Sequence, residues 1–466
     1  MERTLIKETP ERIGEKVELF GWVDSRRDHG KLIFFDIRDR SGIVQAVVTP
    51  KSAAYEEANK LRDEWVIRVV AEIKARPEKM INEGLSTGTV EAAISELEVL
   101  NESETPPLPL KGDGMDIDED VRLKYRYLDL RRERLQKNIK LRSEFVDRCR
   151  QFLFERDFSE IETPMLTKST AEGSRDFVVP SRLHKGKFFA LPQSPQQYKQ
   201  LLMTAGFERY FQLARCIRDE DLRADRGFEH TQIDMEVSFV DRDEFMKMDE
   251  EMITTVVEAM GYKIKEKPFP RISYKTAINE YGGDKFDLRN EAEKQDGVLA
   301  FAWVTDFPFF EKADDGGYTF SHNPFSAVMP ESLDDLLKGE NVENIISSQY
   351  DLVCNGFEVG GGSIRAHRAD WLEAALKIMG MDEEKIQKDY GHMLEAFKYG
   401  TPPHGGIAHG VERMIMILSG EEYLREVQAF PQSSSGRTSV MNAPEPISDD
   451  QLKELGLKID IKKDKE

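Results

Sequence analysis

Arginine and acidic side chains crowd into one short segment, RCIRDEDLRADRGFEHTQID (215–234). Its central loop holds seven charged residues, which are Arg218, Asp219, Glu220, Asp221, Arg223, Asp225 and Arg226. Arginine offers a planar fork of donors that matches phosphate oxygens, and such a group of charges is costly to bury unless something pairs with it. The loop therefore predicts a polyphosphate site, and a surface hairpin of self-paired charges is the alternative.

Two carboxylates seven residues apart lie in the segment YDLVCNGFEVGGGSIR (350–365), namely Asp351 and Glu358. Mg²⁺ prefers a few carboxylates together with phosphate oxygens and water, so the pair predicts a magnesium site beside the phosphates. The glycines at 360–362 indicate either a close approach of a ligand to the backbone or a flexible turn. They are not a P-loop, because the sequence contains neither GKS nor GKT.

A third segment, YGTPPHGGIAHGVERMIMIL (399–418), joins a glycine-rich strand to an apolar helix, with Gly410 and Arg413 at the junction. An arginine there can stack on a base or reach a terminal phosphate, and a glycine-enabled packing contact is the alternative. Lys199 in LPQSPQQYKQLL (191–202), Glu172 and His322 are weaker signals when each is taken alone.

Along the chain, the first predicted element is a β-rich region, residues 1–104, which precedes the segments that hold these side chains. Five runs rich in β-branched and aromatic residues, with one helical stretch after the third, predict a five-stranded OB-type barrel. Such barrels often bind single-stranded nucleic acid, and a purely structural barrel is the alternative. Residues 105–133 start with a Pro- and Gly-rich acidic stretch and are predicted to form a linker or hinge.

Residues 134–466 are predicted to form one catalytic domain of the α+β class. Helical patterns alternate there with short strands joined by reversing loops, which indicates a largely antiparallel sheet with helices. The helical segment 121–142 at its start carries nine basic residues. We interpret it either as a basic surface that faces phosphates or as an ordinary solvated helix face.

The composition argues against several classes of protein. Lysine and arginine number 66 against 87 acidic residues, a net charge of −21, which disfavours a nucleic-acid coat or a membrane-surface protein but allows a local basic patch. Three widely spaced cysteines form neither a disulfide nor a zinc framework and fit the cytoplasm. The sequence shows no secretory leader and no membrane-spanning run, so no membrane association is expected.

Together these segments resemble those of bacterial-type aspartyl-tRNA synthetases, class II aminoacyl-tRNA synthetases of the OB-fold subgroup. The resemblance covers almost the whole chain and depends on seven ordered runs: GWVDSRRDHGKLIFFDIRDRSGIVQ, RLKYRYLDLRR, IETPMLTKSTAEGSRDF, LPQSPQQYKQLLM, RDEDLRADR, NGFEVGGGSIR and GTPPHGGIAHGVER. IETP, ending in Pro164, is similar to class II motif 1 at the dimer interface, RDE opens motif 2, and GVER lies in motif 3. The resemblance implies a cytoplasmic homodimer that forms aspartyl-adenylate from ATP with Mg²⁺ and passes aspartate to tRNA(Asp).

The resemblance also implies roles for the residues that would meet ATP. Arg218 would contact the α-phosphate, while Arg226 and Arg413 would contact the far phosphates and adenine. The implied ATP set is Arg218, Asp219, Glu220, Arg226, His230, Glu358, Gly410, Val411, Glu412 and Arg413. Within it Arg218, Glu358 and Arg413 would be catalytic, and Asp351 with Glu358 would hold the metal.

For aspartate, the resemblance implies two cations, Lys199 and Arg365, around the side-chain carboxylate. The full implied set is Glu172, Gln196, Lys199, Arg218, Asp234, His322 and Arg365. A neutral asparagine would leave both cations unpaired, which disfavours an asparaginyl-type enzyme. An inactive paralogue that only binds RNA is a further alternative.

On the barrel, the resemblance implies an anticodon site made of Arg26, Arg27, His29, Phe34 and Gln45. Phe34 would stack on a base and Gln45 would read a base edge. His29 stands where family members strict for tRNA(Asp) tend to have leucine, so charging of tRNA(Asn) as well is favoured.

Two other features depart from the family pattern. Only ten residues separate DLRN (287–290) from FAWVTDFP (301–308), where bacterial-type members carry a large inserted domain. Gly227 and His230 replace a glutamine and an aromatic residue, so this chain is expected to lose one side-chain contact with ATP and to stack on adenine more weakly.

Overall fold

The computed structural model describes residues 2–169, 174–313 and 316–460. They form two compact units that divide between Pro109 and Leu110. The domain boundaries expected at 104 and 133 stay a prediction. Glu172, which the resemblance places beside aspartate, lies outside the described residues.

The first unit is a closed five-stranded barrel with strand order β1-β2-β3-β5-β4. Its strands are β1 (Lys16–His29), β2 (Leu32–Asp39), β3 (Gly42–Val48), β4 (Val66–Ala75) and β5 (Val90–Asn101), and helix α1 (Tyr55–Lys60) lies between β3 and β4. Alternate residues of β2, namely Ile33, Phe35 and Ile37, are buried in the barrel. The predicted OB-type barrel is therefore confirmed.

The second unit is built on an eight-stranded sheet with the order β11-β12-β15-β16-β17-β10-β9-β6. Its pairs are antiparallel except β11 with β12 and β6 with β9, which are parallel. The strands of this unit are β6 (Ser159–Glu160), β7 (Val178–Pro180), β8 (Phe188–Ala190), β9 (Arg209–Ile217), β10 (Glu229–Ser238), β11 (Arg271–Ser273), β12 (Phe301–Thr305), β13 (Phe310–Lys312), β14 (Tyr318–Phe320), β15 (Gln349–Cys354), β16 (Phe357–Ile364) and β17 (His404–Gly410).

Helices accompany the sheet along the whole unit, so the predicted α+β class is confirmed. They are α2 (Glu119–Lys124), α3 (Arg126–Asp129), α4 (Glu133–Phe154), α5 (Gln196–Thr204), α6 (Arg242–Ala259), α7 (Tyr274–Thr276), α8 (Glu291–Gln295), α9 (Leu333–Lys338), α10 (Ala369–Ile378), α11 (Glu383–Phe397), α12 (Val411–Ser419) and α13 (Asp449–Leu455). Short 3₁₀ helices include Leu424–Val427, which follows α12.

The two faces of β10 show how the sheet separates the core from the site. Ile233, Met235 and Val237 point to one face, where they pack in a hydrophobic core with residues of α4, α6 and α12. Asp234 and Glu236 alternate with them and so point to the other face, where they are also buried. Since buried carboxylates need partners, this second face is the place to look for chemistry.

The basic segment 121–142 fits neither of its two expected roles in full. Arg122, Arg126 and Arg132 are at most 4% exposed, so they are not on a solvated face. All three donate to the carboxylate of Asp129, and Arg122 also donates to Glu426, so their side chains point into the protein. Charge counting along a sequence missed this arrangement because Asp129 and its partners meet only after α2 and α3 form.

Among the residues that the structure describes, no helix combines the length and the apolar character needed to cross a membrane.

Candidate active site

A cavity of about 370 Å³ lies on the polar face of the eight-stranded sheet. Strands β16, β17 and β10 contribute to its lining, and so do helices α5 and α12 and the loop 218–228 after β9. Of the residues predicted for the site, those that line it are Gln196, Lys199, Arg218, Glu220, Arg226, His230, Asp234, His322, Glu358, Arg365, Gly410, Glu412 and Arg413. The structure thus brings together side chains that are more than 200 positions apart in the sequence.

Three other predicted residues lie beside the cavity and do not line it. Val411 is fully buried as the first residue of α12. The carboxylate of Asp219 lies 3.4 Å from the guanidinium of Arg175. Asp351 is buried on β15, where it accepts a hydrogen bond of 2.7 Å from Gln349.

Lys199 and Arg365 converge on one buried carboxylate, that of Glu236. The Nζ atom of Lys199 lies 3.1 Å from Glu236 Oε2, and Arg365 Nε lies 2.8 Å from Glu236 Oε1. Lys199 also contacts Asp234 Oδ1 at 2.6 Å. All four side chains are at most 3% exposed, so two cations and two anions form one buried network.

The cations control the ionisation of the two acids. Burial alone would raise the pKa of Glu236, but the charges of Arg365 and Lys199 outweigh it and hold this pKa at about 2. Burial raises the pKa of Asp234, which Lys199 partly offsets. Glu236 is therefore a permanent anion that keeps both cations facing the cavity.

Local sequence explains how Lys199 reaches this network. Pro195 occupies the N-cap of α5, and Lys199 lies one turn into the helix, on the side that packs towards β10. Lys199 is 2% exposed, so its whole stem is buried and its amine ends at the carboxylates of β10. Lys199 therefore lies near the start of a helix that follows a proline turn.

The two carboxylates predicted to bind the metal, those of Asp351 and Glu358, both lie close to Gly361. A Cβ atom on Gly361 would lie 3.2 Å from Asp351 Oδ1 and 3.6 Å from Glu358 Oε1, so both acids lie over this residue. The neighbouring Gly362 has no room for a side chain either, because its Cβ would lie 2.3 Å from the carbonyl oxygen of Gly406. The glycine run lies inside strand β16, so it is not a flexible turn.

Cations and a histidine surround these carboxylates. Lys285 Nζ lies 3.1 Å from Glu358 Oε2. Burial would raise the pKa of Glu358, but the charges of Lys285 and Arg413 outweigh it and lower that pKa. His322 Nε2 lies 3.4 Å from Asp351 Oδ2, and although burial opposes its charge, the bond to Asp351 raises the pKa of His322.

The charged loop 218–228 and the start of α12 enclose the far end of the cavity. Arg226 lies 3.7 Å from Glu220, and Arg413 lies 3.5 Å from Asp225. Arg413 Nη1 donates to the carbonyl oxygen of Glu358 at 2.6 Å, while its buried Nε has no hydrogen-bond partner among the described residues. An unused buried donor beside several cations suits an anionic ligand.

Two residues that depart from the family pattern lie here, Gly227 in the loop and His230 on β10. A Cβ on Gly227 would meet no atom closer than 3.8 Å, so the structure leaves space where the family has glutamine. Burial, followed by the positive charges of Arg218 and Arg413, lowers the pKa of His230 to about 3. These effects favour a neutral imidazole ring at His230.

In the first unit, the predicted anticodon residues do not all share one face. Arg27 is paired with Phe34 across β1 and β2, and its Nη2 donates to Gln45 Oε1 on β3 at 3.0 Å. Arg26 is bonded to Ala58 and Asn59 at α1. Phe34, Arg27 and Gln45 thus form a patch on the barrel surface, to which Arg26 does not contribute its guanidinium.

Sequence reasoning missed Glu236 and Lys285. The alternation IDMEV (233–237) carried a signal for Glu236, because a second acid two positions after Asp234 must share its face of a strand. Lys285 carried no comparable signal, since it lies in a loop that only the folded chain brings to Glu358.

Comparison with known proteins identifies the class. The family model of class II tRNA synthetases (D, K and N) matches residues 118–434, and that of the OB-fold nucleic acid binding domain matches residues 17–106. The chain therefore belongs to the class II tRNA synthetases of the D, K and N group, as the sequence predicted.

Two individual relatives and one solved structure show which proteins the chain is similar to. The chain is 39% identical to the aspartate–tRNA(Asp/Asn) ligase of Syntrophomonas wolfei, over 96% of this chain and 97% of the relative. It is 37% identical to the aspartate–tRNA ligase of Staphylococcus saprophyticus, over 97% and 98%. Among solved structures, asparaginyl-tRNA synthetase from Pyrococcus horikoshii complexed with asparaginyl-adenylate matches with a TM-score of 0.74 and 25% identity, over 93% of this chain and 98% of the other.

The comparison also shows that this chain is shorter than its relative, whereas the loss of an inserted domain between residues 290 and 301 stays a prediction. The alignment with the Syntrophomonas wolfei protein runs over 572 positions, and this chain has 466 residues. At least 106 positions, 572 less 466, therefore have no residue in this chain.

Proposed function

We propose that the protein is an ATP-dependent aspartate–tRNA ligase, which forms aspartyl-adenylate and transfers aspartate to the 3′ end of tRNA(Asp). One observation carries the choice of amino acid: Lys199 and Arg365 meet on Glu236 in a buried pocket. A second carboxylate, from the substrate, fits beside two cations whose positions are already fixed. The expectation that asparagine would leave both cations unpaired is wrong, because Glu236 and Asp234 already pair with them. The choice of aspartate depends instead on the stronger hydrogen bonds that a charged carboxylate accepts from these cations, compared with the neutral amide of asparagine.

The first step needs positioning and electrostatics rather than a general base, because the α-carboxylate of aspartate is already ionised. Arg218 would meet the α-phosphate of ATP and stabilise the charge that builds there as the carboxylate attacks. Arg226 and Arg413 would hold the far phosphates and adenine, with Glu220 on the adenine side. Gln196 and Asp234 would face the amino group and polar edge of aspartate, and His322 would contact the substrate beside Asp351.

A magnesium ion fits between the phosphates and the carboxylates over Gly361. Asp351 and Glu358 both lie within 4 Å of the point that a Gly361 side chain would occupy, so neither must move far to share an ion. The described residues hold no group of three or more metal-binding side chains. Two carboxylates suffice for Mg²⁺, which usually takes its other ligands from phosphate and water, and the ion would neutralise phosphate charge.

The barrel supplies the contact with tRNA. Phe34 is half-buried on the outer surface of β2, beside the exposed Arg27 and close to Gln45. An aromatic ring flanked by a cation and an amide suits a stacked base with a readable edge.

Two further properties belong to the proposal. A homodimer is supported by two exposed apolar side chains, Phe154 at the end of α4 and Met165 directly after Pro164 of the motif 1 segment, which are 52% and 42% exposed. Light scattering at the mass of one chain would contradict it. A cytoplasmic location is supported by three cysteines that are all buried and unpaired.

The direct test is ATP–pyrophosphate exchange with each amino acid in turn. Aspartate is expected to support exchange, and asparagine and lysine are expected to give less than about 1% of that rate, a difference of roughly 3 kcal/mol. Exchange with asparagine would favour an asparaginyl-type enzyme. Binding of tRNA without any exchange would favour an inactive RNA-binding paralogue.

Replacing His230 by phenylalanine is expected to lower the KM for ATP by about threefold to tenfold, because an apolar ring stacks on adenine better than imidazole does. The gain should be equal at pH 6 and pH 8, because the pKa of His230 is about 3 and the ring is neutral at both values. Exchange rates at varied ATP measure both effects. A gain that changes between the two pH values would show that His230 carries charge in the site.

Charging of tRNA(Asn) as well as tRNA(Asp) is expected from His29, which is exposed at the turn between β1 and β2. The change His29→Leu should lower aspartylation of tRNA(Asn) by about tenfold and leave that of tRNA(Asp) within twofold, as expected when one base contact is lost. Aminoacylation of both purified tRNAs measures this. Equal losses on both tRNAs would mean that His29 supports tRNA binding in general and does not discriminate.

A further inference from the structure

Three arginines that the proposed mechanism does not use converge behind the cavity. They are Arg122, Arg126 and Arg134, called here the arginine cluster. Arg126 is 1% exposed and donates to three backbone carbonyls in one short segment, at 2.7 Å to Arg425, 2.8 Å to Gln428 and 3.0 Å to Ala429. A single rigid guanidinium therefore fixes five consecutive residues of backbone.

The other two arginines hold the same segment through one carboxylate. The Oε2 atom of Glu426 accepts from Arg122 at 2.6 Å and from Arg134 at 2.7 Å. Burial would raise the pKa of Glu426, but the hydrogen bond and charge of Arg122 and the charge of Arg134 lower it, so this acid stays ionised. Asp129 completes the cluster by accepting from Arg122 and Arg126.

The opposite side of this segment contacts the nucleotide loop. We call residues 424–432 the brace segment. The backbone N–H of Leu424 donates to the carbonyl oxygen of Ala224 at 3.0 Å, within the charged loop. Gln432 Nε2 donates to Glu229 Oε1 at 2.9 Å, at the point where the loop joins β10. The brace segment is therefore a layer between the arginine cluster and the loop that carries Arg218 and Arg226.

Helix α4 extends the same support towards motif 3. Arg134, Asn138 and Arg142 are four residues apart, so they share one face of the helix. Asn138 donates to the carbonyl oxygen of Glu426 at 3.1 Å. Arg142 donates to Glu412 and to Thr231, both at 2.9 Å, which ties the start of α12 to β10.

We propose that the arginine cluster is a positioning device that sets the affinity for ATP without touching it. By fixing the brace segment, it holds the loop 218–228 in the conformation that meets the phosphates, so ATP does not have to order the loop when it binds. The inference rests on the proposed function only in taking ATP as the ligand of this loop.

The test replaces Arg126 by lysine, which keeps the charge but cannot reach three carbonyl oxygens at once. The KM for ATP is expected to rise about tenfold, with the KM for aspartate unchanged within twofold, because the loss of these hydrogen bonds affects the loop and not the aspartate pocket. Calorimetry with a non-hydrolysable ATP analogue should show the same fold-change in Kd. The control Arg148→Lys, in an exposed ion pair with Glu144 on the following helix, α4, should leave both constants unchanged.

A purely structural role would give a different pattern. Equal rises in both KM values, or a lower kcat with both KM values unchanged, would overturn the proposal. Gln432→Leu cuts the other side of the brace segment, at a half-buried site where folding should survive, and should raise the KM for ATP in the same way. If both changes act through the brace segment, the KM of the double variant for ATP should exceed that of the weaker-binding single variant by no more than about twofold. Losses of binding free energy that add in the double variant would overturn the proposal.

Failure of the proposed function would be visible separately. Wild-type protein that lacks aspartate-dependent exchange would end the assignment of the reaction, yet the calorimetric comparison with the ATP analogue would still decide whether the arginine cluster controls nucleotide affinity. If Arg126→Lys does not yield folded protein, the Kd of Gln432→Leu decides the matter, and an unchanged Kd overturns the proposal.

Discussion

Aspartate-dependent exchange should fall by at least about a thousandfold when Arg365 is replaced by leucine, because a buried charge pair to the substrate carboxylate is lost together with its hydrogen bonds. Binding of ATP should change by less than threefold, since Arg365 lies at the aspartate end of the cavity, bonded to Glu236 and Ser363. Exchange assays measure the rate with aspartate, and calorimetry with an ATP analogue measures the affinity for the nucleotide. Lys199→Leu should likewise lower aspartate-dependent exchange and leave the binding of ATP nearly unchanged.

A single change at Arg365 leaves Glu236 buried without its main partner, which costs about 3–5 kcal/mol and endangers the fold. The double variant Arg365→Leu with Glu236→Leu removes both charges at once, and such replacements are often neutral for stability. This variant should fold and bind ATP but show no exchange with aspartate. Arg368→Leu, an exposed arginine three residues later, is the matched control and should keep full activity. Exchange retained by the folded double variant would refute the proposed amino acid.

Much of this fold could be predicted because its elements are encoded locally. The alternation of β2 and the turn signals around it define a barrel strand, and the run from His404 to Ser419 changes from a strand period to a helical one where α12 begins. The residues that would bind aspartate could be predicted only through resemblance, because Lys199 and Arg365 give no sign in the sequence that they meet. Their meeting depends on Glu236, whose partners come from a helix and from the end of a distant strand.

The basic segment shows why the rest could not be predicted. Its charges suggested solvent or phosphate, but Arg126 turns inward to three carbonyl oxygens about 300 positions later in the chain. Backbone carbonyls have no sequence signature, so no count of acidic residues could have found these partners. Lys285 was missed for a related reason, because a lone lysine in a loop looks like any solvated charge until Glu358 lies beside it.

Glu358→Gln is expected to reduce the rate of exchange by about a hundredfold to a thousandfold, because a neutral amide holds the ion that neutralises the phosphates more weakly than a carboxylate does. The concentration of Mg²⁺ that gives half of the maximal rate should rise by about tenfold, since a carboxylate ligand is replaced by a weaker neutral one. Exchange rates measured at varied Mg²⁺ and saturating ATP give both values. The KM for aspartate should stay within about threefold, because the Lys199–Glu236 network is intact in this variant.

The fold should survive this change, because glutamine keeps the shape of glutamate and the partner that it leaves, Lys285, is 41% exposed and can turn towards water. Glu395→Gln removes a carboxylate from an exposed pair with Lys398 and is the matched control, with no expected effect on the Mg²⁺ requirement. A slower reaction with an unchanged Mg²⁺ requirement would place Glu358 at the nucleotide without the metal. Asp351→Asn then separates the two roles. Asp351 and Glu358 both lie close to Gly361, so if they share an ion, the loss of the Asp351 carboxylate should raise the Mg²⁺ requirement as well.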